Sequence, residues 1–184
     1  TEQNGVLNTN GAIGPINLPT GTLKSPVASQ NFSLAMNLNS AGTAAQPNTF
    51  STPIQVYDSL GTAHILTATF TESSTPGQWN YSISVPGSDL TSGSFTPVTG
   101  TLTFNSNGQL TSPAATDPAP QVKIQGLADG ASDMTLNWQL YGNGAPQVTQ
   151  FAQASSVSSL SQDGEAASQL SQVGIATGEI GRVH

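Results

Sequence analysis

The chain has 184 residues, 35% hydrophobic and only 7% charged, with a formal net charge of -7, no cysteine and three basic residues, Lys24, Lys123 and Arg182. So few cations exclude a phosphate-tracking surface for nucleic acid and attraction to anionic lipid. The absence of cysteine excludes thiolate catalysis, a disulfide framework and Cys-based zinc sites, and no apolar run approaches the 18 residues of a membrane-spanning helix. At about 150 residues per domain, this length predicts one large domain or two small ones. Ser, Thr, Asn and Gln total 73 residues. With Lys, Arg and Glu too scarce to solvate many helix faces, that composition predicts a hydroxyl-rich, mostly β protein.

Residues 1–28 are punctuated too often by Gly5, Gly11, Gly14, Pro15, Pro19, Gly21 and Pro26 for a helix, so irregular or short extended structure is expected there. The N-terminus shows neither a basic n-region nor an apolar h-region, so no signal peptide is expected. Without an initiating Met, the sequence is expected to be a fragment. From residue 30 to 151 the pattern has period 2. Phe32, Leu34, Met36 and Leu38 share one parity, as do Phe50, Ile54 and Val56. Leu66, Ala68 and Phe70 alternate with Thr67, Thr69 and Thr71. Trp79, Tyr81, Ile83 and Val85 follow, then Leu102 and Phe104, the turn Asn105-Ser106-Asn107-Gly108, Leu110, Val122 with Ile124, and Met134, Leu136, Trp138 and Leu140.

Clean alternation implies antiparallel sheets with one buried face, and seven or eight short strands imply a β-sandwich or small barrel. Trp79, Tyr81, Leu136 and Trp138 fall on the apolar parity and are expected in the core. Pro53, which cannot donate to a ladder, is expected on an edge strand or bulge. Residues 152–184 change texture. They combine a Ser/Ala/Gln stretch, a turn at Asp163-Gly164, some helical propensity over Glu165–Gln172, and glycines at 174, 178 and 181 that favour short strands and turns. Both ends therefore differ from the centre, and residues 1–28 plus 149–184 are expected to form an inner β-rich domain into which an outer domain, 29–148, is inserted. The fold class is all-β: an antiparallel, sandwich or barrel-like domain inserted into a second small β-rich one.

Asp58, Ser59 and His64 are the residue types of a hydrolase triad. They lie within seven residues, whereas a nucleophile, base and orienting acid normally come from separate rigid supports. The residues instead suit a β-turn, with the Asp58 carboxylate capping backbone N–H groups and Gly61 supplying positive φ. Asp129 with Asp133, and Asp163 with Glu165, lack the ligand spacing of a calcium loop and are expected in solvated turns. No phosphate loop is apparent, and no catalytic, cofactor or metal residues are expected. Serine- and threonine-rich faces would also suit a carbohydrate-binding or adhesin sandwich, but Trp79 and Trp138 sit on core parities.

The segment Thr52 to Phe70 is similar to a hallmark of bacterial flagellar hook proteins: a strand, then Val56-Tyr57-Asp58-Ser59-Leu60-Gly61, a short polar turn, His64 and an alternating strand. Ser33 to Asn39 resembles the strand that opens the family's inserted domain, Trp79-Asn80-Tyr81 its next strand, and Ser155 to Gly164 the return into the underlying domain. The chain departs from the family in having Ala166-Ala167-Ser168 where a glycine is usual, and in lacking its long terminal helices. The resemblance implies a non-enzymatic structural subunit outside the cell in the flagellar hook. Such a subunit polymerises with copies of itself into a curved tube that transmits motor torque as a universal joint, contacting flagellar cap and junction proteins and neither nucleic acid nor membrane. A distal rod subunit is the alternative within the flagellum. Asp58, Ser59, Leu60, Gly61 and His64 are then expected to be a structural turn motif.

Overall fold

A computed structural model of the protein describes residues 2–3, 6–7, 23–43 and 46–169. The first residues, apart from those two short pieces, and the glycine-punctuated tail from residue 170 lie outside the described residues. The chain divides into two compact units, residues 25–168 and residues 1–24 with 169–184.

In chain order the strands are β1 (Glu2–Gln3), β2 (Val6–Leu7), β3 (Leu23–Lys24), β4 (Asn31–Asn39), β5 (Thr49–Tyr57), β6 (Ala63–Glu72), β7 (Gln78–Ser84), β8 (Val98–Phe104), β9 (Leu110–Ser112), β10 (Gln121–Ile124), β11 (Met134–Trp138), β12 (Tyr141–Gly142), β13 (Ala145–Pro146), β14 (Val148–Phe151), β15 (Ser156–Gln162) and β16 (Ser168–Gln169). A single 3₁₀ turn, Gly87–Asp89, is the one helical segment among the described residues. In the smaller unit, β1 and β2 pair antiparallel, Glu2 opposite Leu7 and Gln3 opposite Val6.

The larger unit holds two five-stranded sheets. The first is an antiparallel meander in the order β5-β6-β7-β8-β9. Its strands alternate as their sequence demands, since successive side chains point to opposite faces. Ile54 and Val56, Leu66, Ala68 and Phe70, Trp79, Tyr81 and Ile83, and Leu102 and Phe104 are buried, while the alternate positions are mainly Ser, Thr, Asn and Gln facing outward. Pro53 lies on β5, at the edge of this sheet, where its missing N–H interrupts no inner ladder.

The second sheet is built around β4. One edge of β4 pairs antiparallel with β15, from Phe32 opposite Gln162 to Asn37 opposite Ser156, with a bulge between Val157 and Ser159. The other edge is shared by two strands running parallel to it. Trp138 of β11 sits opposite Phe32, and Val148 of β14 sits opposite Met36. Between those two the chain makes the small β12–β13 hairpin and returns to the same edge. The two parallel pairings are invisible to alternation alone, because β4 buries the same residues whichever direction its neighbours run. β10 completes this sheet by pairing antiparallel with β11.

The sheets also meet at their margins, which gives the sandwich its barrel-like character. Gln109 bridges Thr149 beside β9 and β14, and the Gln150 N–H donates to the Gly108 carbonyl at 2.9 Å. On the opposite side, Gln55 and Tyr57 of β5 line one groove with Leu160, Ser161 and Gln162 of β15.

Between the sheets lies a single core. Trp79, Leu136 and Trp138 have no exposed surface and Tyr81 only 7%. The Trp138 ring stacks on Phe32 of its own sheet, with centroids 6.2 Å apart, and takes Phe70 at 5.9 Å and the edge of Tyr81 at 5.2 Å from the opposite sheet. Tyr81 in turn lies across Gly100 on β8, where an added Cβ would come within 2.6 Å of three of its ring and hydroxyl atoms. Opening so large a hole at the centre of a core costs about 3–5 kcal/mol. Trp138→Ala is therefore expected to lower unfolding free energy by that amount, read as a drop in the urea midpoint at unchanged slope.

Candidate functional site

The most polar buried locus in the larger unit is the turn between β5 and β6 together with the loops that close over it. Asp58 follows the end of β5. One of its carboxylate oxygens, Oδ1, accepts the backbone N–H groups of Leu60 at 2.8 Å and Thr62 at 2.9 Å. The Asp58 N–H reaches the Thr62 carbonyl at 3.0 Å, and the Gly61 N–H reaches the Asp58 carbonyl at 3.2 Å. Gly61 has φ +85°, and a Cβ there would lie 2.8 Å from the Pro26 side chain and 2.9 Å from the Ala167 backbone nitrogen. Gly61 is thus required twice, by its left-handed backbone and by close approach. Gly61→Ala is expected to lower stability by about 1–3 kcal/mol, since the left-handed strain alone is about 1–2 kcal/mol, as measured by thermal or urea melting. Leu60, by contrast, points outward with 57% of its surface exposed.

His64 enters on β6, on the inward parity, and is buried. Its Nε2 lies 3.0 Å from Asp58 Oδ2, and its Nδ1 lies 2.9 Å from Asp89 Oδ2 in the 3₁₀ turn after β7. The Asp129 carboxylate oxygen Oδ2 stands 4.0 Å from Nε2. The two outer loops are tied to each other, which is why Asp89 and Asp129 arrive together. Leu90 bridges Leu127, the Ala128 N–H donates to the Asp89 carbonyl at 2.9 Å, and the Thr91 N–H donates to the Gly126 carbonyl at 2.9 Å. Asp89 and Asp129 are 25 and 65 residues from His64 in sequence, with no local spacing to announce them. Only the inward parity of His64, a polar residue amid Val56, Leu66 and Ala68, signals that it must find buried partners.

Ser59 does not join this group. Its Oγ accepts the backbone N–H of Ser132 at 3.0 Å, pinning the turn to the 127–133 loop. The imidazole therefore has carboxylates at both ring nitrogens and, among the described residues, no hydroxyl hydrogen-bonded to it. The arrangement fastens three loops to one ring, which is what a hydrolase triad does not do.

The charges of this cluster respond to pH. Burial pushes the Asp58 carboxyl up. Hydrogen bonds involving Asp129, His64 and the N–H groups of Thr62 and Leu60 outweigh it and hold the group at about 2, below its ordinary 3.8. Burial likewise acts to lower His64, but its bonds to Asp89 and Asp58 and their charges raise it above its ordinary 6.5. A depressed carboxyl contributes stability above 3.8 that is lost as pH falls toward about 2. A raised imidazole contributes stability below 6.5 that is lost as pH climbs through its elevated value. The clamp is therefore strongest between pH 3.8 and 6.5. Urea unfolding of metal-free protein at stepped pH is expected to show stability declining above that window, and His64→Gln is expected to abolish the decline.

A second polar knot closes the larger unit where the chain enters and leaves it. Asp163 accepts the backbone N–H groups of Gln30 at 2.7 Å and Asn31 at 2.9 Å, and the Asn31 side-chain amide at 2.7 Å. Burial raises its carboxyl, but these donors more than offset that and hold it below the usual range. Ser29 Oγ donates to Gln162 Oε1 and accepts from the Tyr57 N–H, while Val27 and Glu165 exchange both backbone bonds. Glu165, read from sequence as the start of a helical stretch, thus takes part in a β-bridge, because pairing with Val27 satisfies both its main-chain groups.

An all-β, two-sheet sandwich with a pinned turn at one corner and its two ends knotted together is a self-contained structural module. Residues 30–165 match the model of the flagellar basal body protein FlaE D2 domain, and the chain belongs to that family. Among solved structures it is similar to a 32 kDa fragment of the flagellar hook protein FlgE from Caulobacter crescentus, with a TM-score of 0.52 and 19% identity, covering 62% of this chain and 46% of that one. It is also similar to the Helicobacter pylori flagellar hook protein FlgE2, with a TM-score of 0.39 and 17% identity, covering 65% of this chain and 26% of that one. The chain thus spans less than half the length of either. No curated protein matches its sequence. The resemblance to flagellar hook proteins carried by the Thr52–Phe70 segment therefore holds, and that segment lies wholly inside the family match.

Proposed function

We propose that this chain is part of a structural subunit of the bacterial flagellar hook, located outside the cell, which polymerises with copies of itself into the curved tube that passes motor torque to the filament. The observation that carries this reading is the family match across residues 30–165, with the Val56 to His64 block folded as a pinned turn at its centre. The outer domain expected over residues 29–148 extends in this reading to residues 25–168, because β14 and β15 pair with β4, and it is inserted into an inner domain. The knot of Val27, Ser29 and Asn31 with Gln162, Asp163 and Glu165 supports insertion, because it brings the entering and leaving strands side by side.

The outward faces suit the role. Those of β6, β7 and β8 carry Thr67, Thr69, Thr71, Asn80, Ser82, Thr99, Thr101 and Thr103, without a charge among them. Subunits of a rotating curved tube must exchange contacts every turn. Hydroxyl and amide groups can trade one partner, or water, for another at little cost, whereas buried ion pairs carry a desolvation penalty at every exchange. A rigid module with a renewable polar surface transmits load and slides. Meeting cap and junction proteins at the two ends of such a tube belongs to the same proposal.

Immunogold microscopy of flagella from the source bacterium, with antibody raised against this chain, is expected to place gold on the short curved segment between cell and filament. Gold confined to the rod would instead make it a distal rod subunit, and gold on neither would remove it from the flagellar axis.

A further inference from the structure

Two carboxylates and an imidazole converge beside the β5–β6 turn in an arrangement that a mere hydrogen-bonded clamp does not require. Asp58 Oδ1 is taken up by the Leu60 and Thr62 N–H groups, which fixes the carboxylate and aims Oδ2 at His64. Asp129 repeats the pattern, with Oδ1 accepting the Ala131 N–H at 3.1 Å and Oδ2 turned toward the same ring nitrogen. His64 Nδ1 is engaged by Asp89 Oδ2, itself set on a 3₁₀ turn, with Asp89 Oδ1 accepting from Ser88 Oγ. With the Nδ1 proton directed at Asp89, Nε2 is left as the donor atom, facing two carboxylate oxygens.

From this geometry we propose that Asp58 Oδ2, His64 Nε2 and Asp129 Oδ2 bind a divalent transition-metal cation of the zinc class, with Asp89 orienting the imidazole. The three donor atoms lie within 4.8 Å of one another. Nε2 is 3.0 Å from one carboxylate oxygen and 4.0 Å from the other. Zinc bonds of 2.0–2.1 Å in a tetrahedron put neighbouring donors roughly 3.3 Å apart, so the observed spacings bracket the bound geometry. The adjustment needed falls on Asp129, the exposed member. One imidazole with two carboxylates favours zinc-class ions over calcium or magnesium, which take oxygen ligands. A carboxylate behind the ligating imidazole is the usual outer support of such sites. Two carboxylate oxygens facing one ring nitrogen concentrate negative charge that a cation between them would neutralise. Spacing along the chain concealed this set, because Asp129 is brought to the Asp58–His64 hairpin only by the laced loops.

The test uses the full 184-residue chain, stripped with chelator and titrated near pH 7 with zinc chloride, and with calcium chloride in parallel, by calorimetry in two buffers of different ionisation enthalpy. The expected result is one saturable zinc site per chain, heat that varies with buffer because protons are released, a raised melting temperature, and no comparable calcium binding. Asp129→Asn, on an exposed loop and with its side-chain oxygen still able to accept the Ala131 N–H, is expected to weaken zinc binding by about 100-fold or more while the metal-free protein remains folded. Asp89→Asn should weaken it by about 10- to 100-fold, as loss of an outer-shell partner does. Zinc binding that survives Asp129→Asn but vanishes in His184→Ala would assign the metal to the chain end and overturn the proposal, as would the absence of any saturable zinc heat. Should Asp129→Asn fail to fold, unchanged binding in Asp89→Asn would overturn it equally.

Discussion

The larger unit depends on one ring. Trp138 ends β11 on the second sheet and touches Phe32 on its own layer and Phe70 and Tyr81 on the other, so the two sheets are registered against the same indole. Each sheet alone would expose a continuous apolar face. Packed together they bury Trp79, Phe70, Leu102 and Ile83 against Leu34, Leu38, Leu136 and Val122, with a single core running between them. Because side chains along a strand alternate, slipping any one ladder by a residue would turn its apolar set to water. The aromatic contacts therefore fix register as well as supplying buried area.

β4 gives that core its mechanical continuity. It is paired along both edges, by β15 on one side and by β11 and β14 on the other, so the chain's first long strand is locked by its last ones. The knot around Asp163 sits at the mouth of this arrangement. The outward faces of β6, β7 and β8 add no charged side chain to this frame. The His64 cluster stiffens the opposite margin of the β5–β6 turn, where three loops with little regular pairing of their own converge on one buried side chain.

Much of this was legible from local chemistry. Period-2 alternation located the long strands β4 to β8 and β11, and the outward Thr and Ser on β6 and β7 followed from the same count. The edge position of Pro53 followed from its missing N–H, and the turn at Asp58–Gly61 from capping and positive-φ preferences. β15 was less legible. Ser156–Gln162 buries neither face fully, so hydrophobic alternation has nothing to report, and the strand exists because the free edge of β4 needs backbone partners. At Glu165 the local helical preference gave way to a non-local bridge to Val27, and Ser168–Gln169 form a short strand, while residues 170–172 lie outside the described residues.

The sequence by itself determined the periodicity, the identity of the large apolar side chains and the turn chemistry, because each of these depends on residues within a few positions of one another. The tertiary structure alone decided the two parallel pairings of β4, the closing of the unit by Asp163 onto Asn31, and the gathering of Asp89 and Asp129 around His64. Those features join segments 25 to 132 residues apart. Their partners are selected by which edges and buried polar atoms are left unsatisfied once the sheets have packed, and that condition does not exist until the chain is folded.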